Sequence, residues 1–235
     1  MLDLIAFDAD DTLWHNESLY LQARERFREV LAPYRLAGSV DDTLHRIEIP
    51  NLDYYGYGVT GFVLSMIEAA IELTEGRIAG EDISQLLDLA KGMLAAEVQL
   101  FAHAVDTLAT LSASYTLMLI TKGDLRHQRS KLARSGLSEY FRHVEVVSDK
   151  TPATYQSILD KMQVEPYRFV MVGNSMRSDI LPVLELGGWA IHVPNDLTWS
   201  HEDGNLPQRL RRRFFEVTGL GQLPELIERL NGGKT

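Results

Sequence analysis

The chain contains no cysteine. That removes disulfides, zinc-thiolate sites, iron–sulfur clusters and a thiol nucleophile, and it fits a reducing compartment. Positive charge is in deficit: 23 Lys and Arg stand against 33 Asp and Glu, for a formal net charge of −10. An anion of this size is repelled by nucleic-acid backbones and anionic lipid surfaces, so neither nucleic acid nor membrane is the expected partner. Long apolar runs are missing as well. The longest uncharged stretch, 107–121, has about 15 residues and is rich in Ser and Thr, short of the ~20 that a membrane-spanning helix needs. Residues 1–10 lack a basic start, and Asp3 and Asp8 interrupt their apolar run, unlike a signal peptide. The expectation is a cytoplasmic, soluble protein. There is no internal repeat, no Walker lysine loop, no Gly-x-Ser-x-Gly elbow and no His-Glu-x-x-His pair, which removes P-loop NTPases, common serine hydrolases and zincins.

What is present is an ordinary globular composition, 45% hydrophobic over 235 residues, enough to bury a core without staples. Short apolar runs end in small polar or acidic residues: 2–7 before Asp8, 115–120 before Thr121, 144–147 before Ser148 and Asp149, 169–172 before Gly173 and Asn174, and 189–193 before Pro194. Continuous apolar runs of this length are those of strands buried on both faces. Helical patterns fill the later gaps, at 125–135, 152–162 and 178–186, the last stopped by Gly187-Gly188. Alternating strands and helices predict a doubly wound parallel sheet. The first gap is too long for one crossover. Apolar spacings of three and four at 18–31, 61–73, 83–100 and 105–111 predict helices there. The expected organisation is a Rossmann-like α/β core at 1–14 and 101–235, split by an inserted α-helical cap domain at 15–100.

Ligands of open parallel sheets sit at the carboxyl ends of the strands. Those ends carry Asp8, Asp10, Thr121, Asp149, Lys150, Asn174 and Asp179. A strand-end carboxylate acts as a nucleophile toward an anionic substrate when a cation screens its approach, and a second carboxylate two residues on can move the proton. Oxygen ligands without thiolates or paired histidines favour Mg²⁺. A calcium EF-hand loop does not fit, because the sixth and twelfth positions counted from Asp8 are Leu13 and Leu19.

Asp8-x-Asp10-x-Thr12 after an apolar strand resembles the first motif of the haloacid dehalogenase (HAD) superfamily. Thr121 is similar to its second motif, Lys150 to its third-motif lysine, and Gly173-Asn174-Ser175-x-x-x-Asp179 to its acidic fourth motif. The four occur in the family's order and cover nearly the whole chain, and the insert matches the cap that follows motif one. The resemblance implies an aspartyl-phosphate on Asp8 and acid–base work by Asp10. It implies phosphoryl binding by Thr121 and Lys150, with Thr12, Lys122 and Gly123 lining the substrate. It implies Mg²⁺ held by Asp8, the Asp10 carbonyl, Asn174 and Asp179. The fourth motif of the family usually begins Gly-Asp, so Asn174 is a departure that brings an oxygen without its charge.

Within the family, Asp10 favours a phosphatase over a dehalogenase. The first lysine is Lys91, so the insert proper lacks the Schiff-base lysine of phosphonoacetaldehyde hydrolysis. The expected activity is Mg²⁺-dependent hydrolysis of a small phosphate monoester. The alternatives are a phosphomutase and a catalytically weak phospho-ligand-binding relative. The partner is a small phosphorylated metabolite, and the chain is a monomer or homodimer. Residues 51–61, with three tyrosines and three glycines, read as a loop in which Tyr55 and Tyr57 face substrate. Its Gly56-x-Gly58-x-x-Gly61 spacing lacks a preceding strand and is not read as a dinucleotide site. The arginines at 209, 211, 212 and 213 read as a solvated helix face.

Overall fold

The computed structural model describes residues 2–232. In chain order it has strand β1 (Leu4–Phe7), then helices α1 (Glu17–Leu31), α2 (Val40–Tyr55), α3 (Val59–Leu73), α4 (Gly80–Ala95) and α5 (Ala104–Ser112). Strand and helix then alternate: β2 (Thr116–Lys122), α6 (Leu125–Ser135), β3 (His143–Val147), α7 (Pro152–Met162), β4 (Phe169–Gly173), α8 (Leu181–Glu185), β5 (Trp189–His192), β6 (Phe214–Glu216) and α9 (Leu223–Gly232). The chain divides into two compact units, one of residues 1–17 and 98–235, the other of residues 18–97.

The first unit is built on a six-stranded parallel sheet in the order β3-β2-β1-β4-β5-β6. Side chains alternate across it. Ile5, Phe7, Leu117, Leu119, Val170 and Val172 point to one face, with Leu108 of α5 and Ile227 of α9. Leu4, Ala6, Met118, Ile120, Phe169 and Met171 point to the other, with Tyr155 of α7 and Val183 of α8. Both faces are covered, and for that reason the strands read as unbroken apolar runs rather than alternating ones. The strand order reverses beside β1, so the ends of β1 and β4 open the crevice in which doubly wound sheets hold their ligands.

The helices of this unit begin where the sequence supplies a cap. Asp124 accepts from the His127 N–H at 2.7 Å to start α6, and Thr151 accepts from the Thr154 N–H at 3.1 Å, with Pro152 in the first turn of α7. The segment expected to be a helix at 178–186 is different. Met176–Ile180 forms a π-turn, and the α-helix starts only at Leu181. Ile180 N–H donates to the Ser175 carbonyl at 3.2 Å, five residues back. Pro182, with no N–H, cannot extend a regular ladder backward from α8.

The second unit is a helical bundle of α1 to α4 with its own core, in which Phe27, Leu31, Leu44, Met66 and Leu86 are all fully buried. Helix α2 was not expected from its sequence. Ser39 caps it, and it runs through Pro50 to Tyr55. The loop expected at 51–61 is corrected accordingly: residues 51–55 complete α2, and only 56–58 turn the chain. That turn uses Gly56 and Gly58 at φ of 70° and 124°, values open to glycine and strained for other residues. Among the described residues, no helix is long and apolar enough to cross a membrane.

Candidate active site

Asp8 is the first residue beyond β1. Its N–H is held by the Val172 carbonyl of β4 at 2.9 Å, so the sheet ladder itself aims the backbone that carries this carboxylate. Asp11, at φ 63°, turns the chain sharply. Its carboxylate then accepts from the Asn16 and Glu17 N–H groups at 3.0 Å, capping the start of α1. The turn returns Thr12 toward the strand ends. Thr12 Oγ1 lies 3.1 Å from Asp8 Oδ2 and 3.2 Å from Asn174 Oδ1, and it accepts from the Asn174 N–H at 3.1 Å. A hydroxyl therefore gathers the side-chain oxygens of the first and fourth motifs around one point.

Lys150 reaches the same place from the loop before α7. Its ammonium donates to Asp8 Oδ1 at 2.5 Å and to Asp179 Oδ1 at 2.7 Å. Asp179 is fixed in turn by the Ser175 N–H on Oδ2 at 3.0 Å. Gly173 is required here by close approach: a Cβ on it would stand 2.2 Å from Asp179 Oδ2. Burial raises the affinity of Asp8 for its proton; Lys150 opposes this and the Asp179 charge adds to it. Burial acts against the charge on Lys150, but the carboxylates of Asp179 and Asp8 outweigh it and keep the ammonium protonated.

Asp10 has partners that sequence reasoning missed. Lys131 donates to its Oδ1 at 2.5 Å, Trp14 Nε1 to the same oxygen at 2.6 Å, and Gln128 to its Oδ2 at 2.8 Å. Burial works against ionisation of Asp10, yet the Lys131 charge and these hydrogen bonds hold it below the usual carboxylate range. A signal was available. Gln128 and Lys131 lie three apart on α6, and on this mostly polar helix they share the buried side with Leu132.

A second cluster was also unforeseen. Lys122, expected to meet substrate, donates to Glu202 at 2.6 Å and to Ser178 Oγ at 2.8 Å. Glu202 also accepts from Ser175 Oγ and Ser178 Oγ. Burial would raise the pKa of Glu202, but Lys122 and the two hydroxyls bring it down to about 2. Asn174 is steadied from this side by Nδ2 donating to Thr198 Oγ1 at 3.0 Å. Nothing in the spacing of residues 198–202 announces that they return to the fourth motif.

The remaining expected residues fall as follows. Thr121 is buried near the end of β2, its Oγ1 3.4 Å from the Lys122 carbonyl. Gly123, at φ 120°, turns the chain from β2 into α6. Tyr55 and Tyr57 belong to the helical unit, Tyr55 as the exposed last residue of α2 and Tyr57 in the turn after it.

As a donor set, Asp8 and Asn174 offer hard oxygens near one point, and three carboxylates, Asp8 and Asp179 buried and Asp10 half-buried, face two ammonium groups (Lys150 and Lys131). The surplus negative charge and the oxygen-only chemistry fit a divalent cation of the Mg²⁺ type. No cluster of three or more His, Cys, Asp or Glu around a common point occurs among the described residues. An amide at 174 is one reason that such a count falls short.

This arrangement, on this sheet, defines a hydrolase. Residues 2–187 match the haloacid dehalogenase-like hydrolases, and the chain belongs to that family. It is 28% identical to a glyceraldehyde 3-phosphate phosphatase of Methanothermobacter thermautotrophicus, over 97% of this chain and 99% of that one. It is 24% identical to the human N-acylneuraminate-9-phosphatase, over 75% of this chain and 72% of the other. The crystal structure of a haloacid dehalogenase-like family hydrolase from Xanthomonas campestris superposes with a TM-score of 0.87 at 39% identity, covering 98% of this chain and 92% of that one.

Proposed function

We propose that the chain is a phosphatase that hydrolyses a small phosphate monoester through an aspartyl-phosphate on Asp8, with Mg²⁺ as its cofactor. The observation that carries this reading is the buried lysine, Lys150, held between Asp8 and Asp179 where β1 and β4 end. A carboxylate nucleophile toward an anionic phosphoryl group needs positive charge beside it, already in place. The phosphatases among its relatives, named for triose and sugar-acid phosphates, support the same substrate class.

In this scheme Asp8 attacks phosphorus, and the P–O bond to the leaving group breaks. Asp10 gives the leaving oxygen its proton and later takes one from the water that cleaves the intermediate. In the arrangement seen here, Lys131, Trp14 and Gln128 hold Asp10 as the carboxylate. That form suits the second half-reaction, and the first requires the Lys131 contact to give way. Lys150 and Thr121 hold the transferring oxygens. Asp8, Asn174 and the Asp10 carbonyl would hold Mg²⁺, and Asp179, expected among the metal's ligands, would instead keep Lys150 in place through their 2.7 Å contact. The metal, when bound, supplies charge neutralisation for the phosphoryl oxygens and the nucleophile. The helical unit at 18–97 serves as the cap that selects substrate, Tyr55 and Tyr57 included.

The test is turnover of p-nitrophenyl phosphate and of a panel of phosphorylated metabolites, with Mg²⁺ and with EDTA. Asp8→Asn is expected to abolish turnover, and acid quenching of the wild type is expected to trap phosphate on Asp8. Metal-independent turnover, or activity surviving Asp8→Asn, would reject the reading. Unchanged kcat/KM across the panel in Tyr55→Ala and Tyr57→Ala would remove those two residues from substrate selection.

A further inference from the structure

A cavity of about 700 Å³ lies against β5 and β6, and arginines from two separate elements line it. Arg209, Arg212 and Arg213 come from the 3-10 run Gln208–Arg213 that leads into β6, and Arg229 comes from α9. Trp189 and Phe215 form part of the wall, their rings stacked at 6.1 Å. Among the described residues that line the cavity, none is acidic. Arg213 is built in: its guanidinium lies 5.3 Å over the Trp189 ring and donates to the Gly187 carbonyl. Among the described residues, no carboxylate pairs with Arg209, Arg212 or Arg229. Elsewhere in this net anion, arginines do find such partners, for example Arg24 with Glu48, Arg28 with Asp41 and Arg168 with Asp3.

The position separates this cavity from the catalytic residues. Trp189 opens β5 and pairs with Val170, whereas Asn174 follows Gly173, which pairs with His192 at the other end. Three residues of strand put about 10 Å between the two levels. The Leu2 N–H donates to Asn231 Oδ1 at 2.8 Å, which ties the end of α9 to the amino-terminal end of the sheet. The arginines therefore sit at the end of the sheet opposite Asp8.

We propose that this cavity is a second ligand site, for an organic di- or triphosphate. Converging guanidinium groups repel one another until an anion lies between them. Each presents a planar fork matched to two phosphoryl oxygens, and three free forks call for more than one phosphate. The volume is that of a small-molecule site and exceeds what a bare phosphate fills. The aromatic wall takes the apolar body of the ligand. The sequence reading of these arginines as a solvated helix face is revised: Arg209 and Arg212 are exposed, but they border a concave surface that a fourth arginine closes from α9.

The experiment is calorimetric titration of the full chain with ATP and with tripolyphosphate, in EDTA. ATP is expected to bind once per chain and more tightly than tripolyphosphate, with affinity falling as salt rises. The variant Arg209→Glu/Arg212→Glu/Arg229→Glu is expected to weaken ATP binding by at least about tenfold, since each charge-assisted bond lost is worth that much. Its turnover of p-nitrophenyl phosphate should equal that of the wild type, and Thr121→Ala should keep the ATP affinity. If the triple variant misfolds by circular dichroism, Arg212→Ala alone should still weaken binding several-fold. Absence of ATP binding, or an affinity that survives the arginine changes, would overturn the proposal. So would an affinity lost in Thr121→Ala, and tripolyphosphate binding as tight as that of ATP would overturn the organic part.

Discussion

Asp179 accepts from the Lys150 ammonium at 2.7 Å, and both side chains are 1% exposed. The two are 29 residues apart in the chain, and Asp179 touches neither Asp8 nor Thr12 directly by any hydrogen bond among the described residues. In the proposed scheme it acts through the lysine. Asp179→Asn is expected to lower kcat by about two orders of magnitude, comparable with losing one preorganised electrostatic contact. Lys150→Met leaves two carboxylates buried without their cation, so it should also cost about 3–5 kcal/mol of stability. Denaturant unfolding of both variants beside steady-state kinetics separates the two effects. Full activity in Asp179→Asn would remove it from the site.

Gly173→Ala tests the same contact from behind. The added Cβ would fall 2.2 Å from Asp179 Oδ2, and both groups are packed against β4, with little room to give. A stability loss of about 1–3 kcal/mol is expected from overpacking. A fall in kcat should accompany it as Asp179 is displaced from Lys150. A variant as stable and active as the wild type would show that Asp179 has other room.

Asn174→Asp restores a charge that the family's fourth motif usually carries. The new carboxylate can still accept from the Thr198 hydroxyl, replacing the bond that Asn174 Nδ2 now donates. The Mg²⁺ concentration for half-maximal activity should fall at least about tenfold, since a full charge near a divalent ion is worth more than an amide dipole. An unchanged requirement would place residue 174 outside the metal's ligands.

Glu202 couples the loop before β6 to the fourth motif, and its coupling is pH-dependent. Burial acts against its charge, but Lys122, Ser175 and Ser178 bring its pKa from 4.5 to about 2 in the folded state. A folded-state pKa below the unfolded one adds stability above about pH 4.5, and that stability is lost as pH falls toward 2. The contribution is on the order of 3 kcal/mol. Glu202→Gln should therefore be less stable than the wild type at pH 7, with the gap narrowing as pH drops from 5 to 3. A gap that stays constant with pH would show that the carboxylate charge is not what Lys122 and the serines stabilise.

Much of the core was legible because its rules are local. The unbroken apolar strands announce a sheet covered on both sides, and α6 and α7 carry their own caps, Asp124 and Thr151-Pro152, at the observed boundaries. Helix α2 was not legible because its last two turns contain Pro50 and a tyrosine-rich run that resemble a loop; packing of Leu44 and Ile47 into the bundle outweighs the missing N–H. Strand β6, three residues long, offers too little pattern to read.

By itself the sequence determined the strand ends and the residues placed there, since hydrophobic periodicity stops where Asp8, Thr121 and Asn174 begin. Only the tertiary structure decided which charges meet. Lys131 reaches Asp10 across 121 positions and Glu202 reaches Lys122 across 80, pairings that depend on how a helix and a distant loop pack on the sheet. Electrostatic partners are chosen by distance in space, and spacing along the chain carries no record of it.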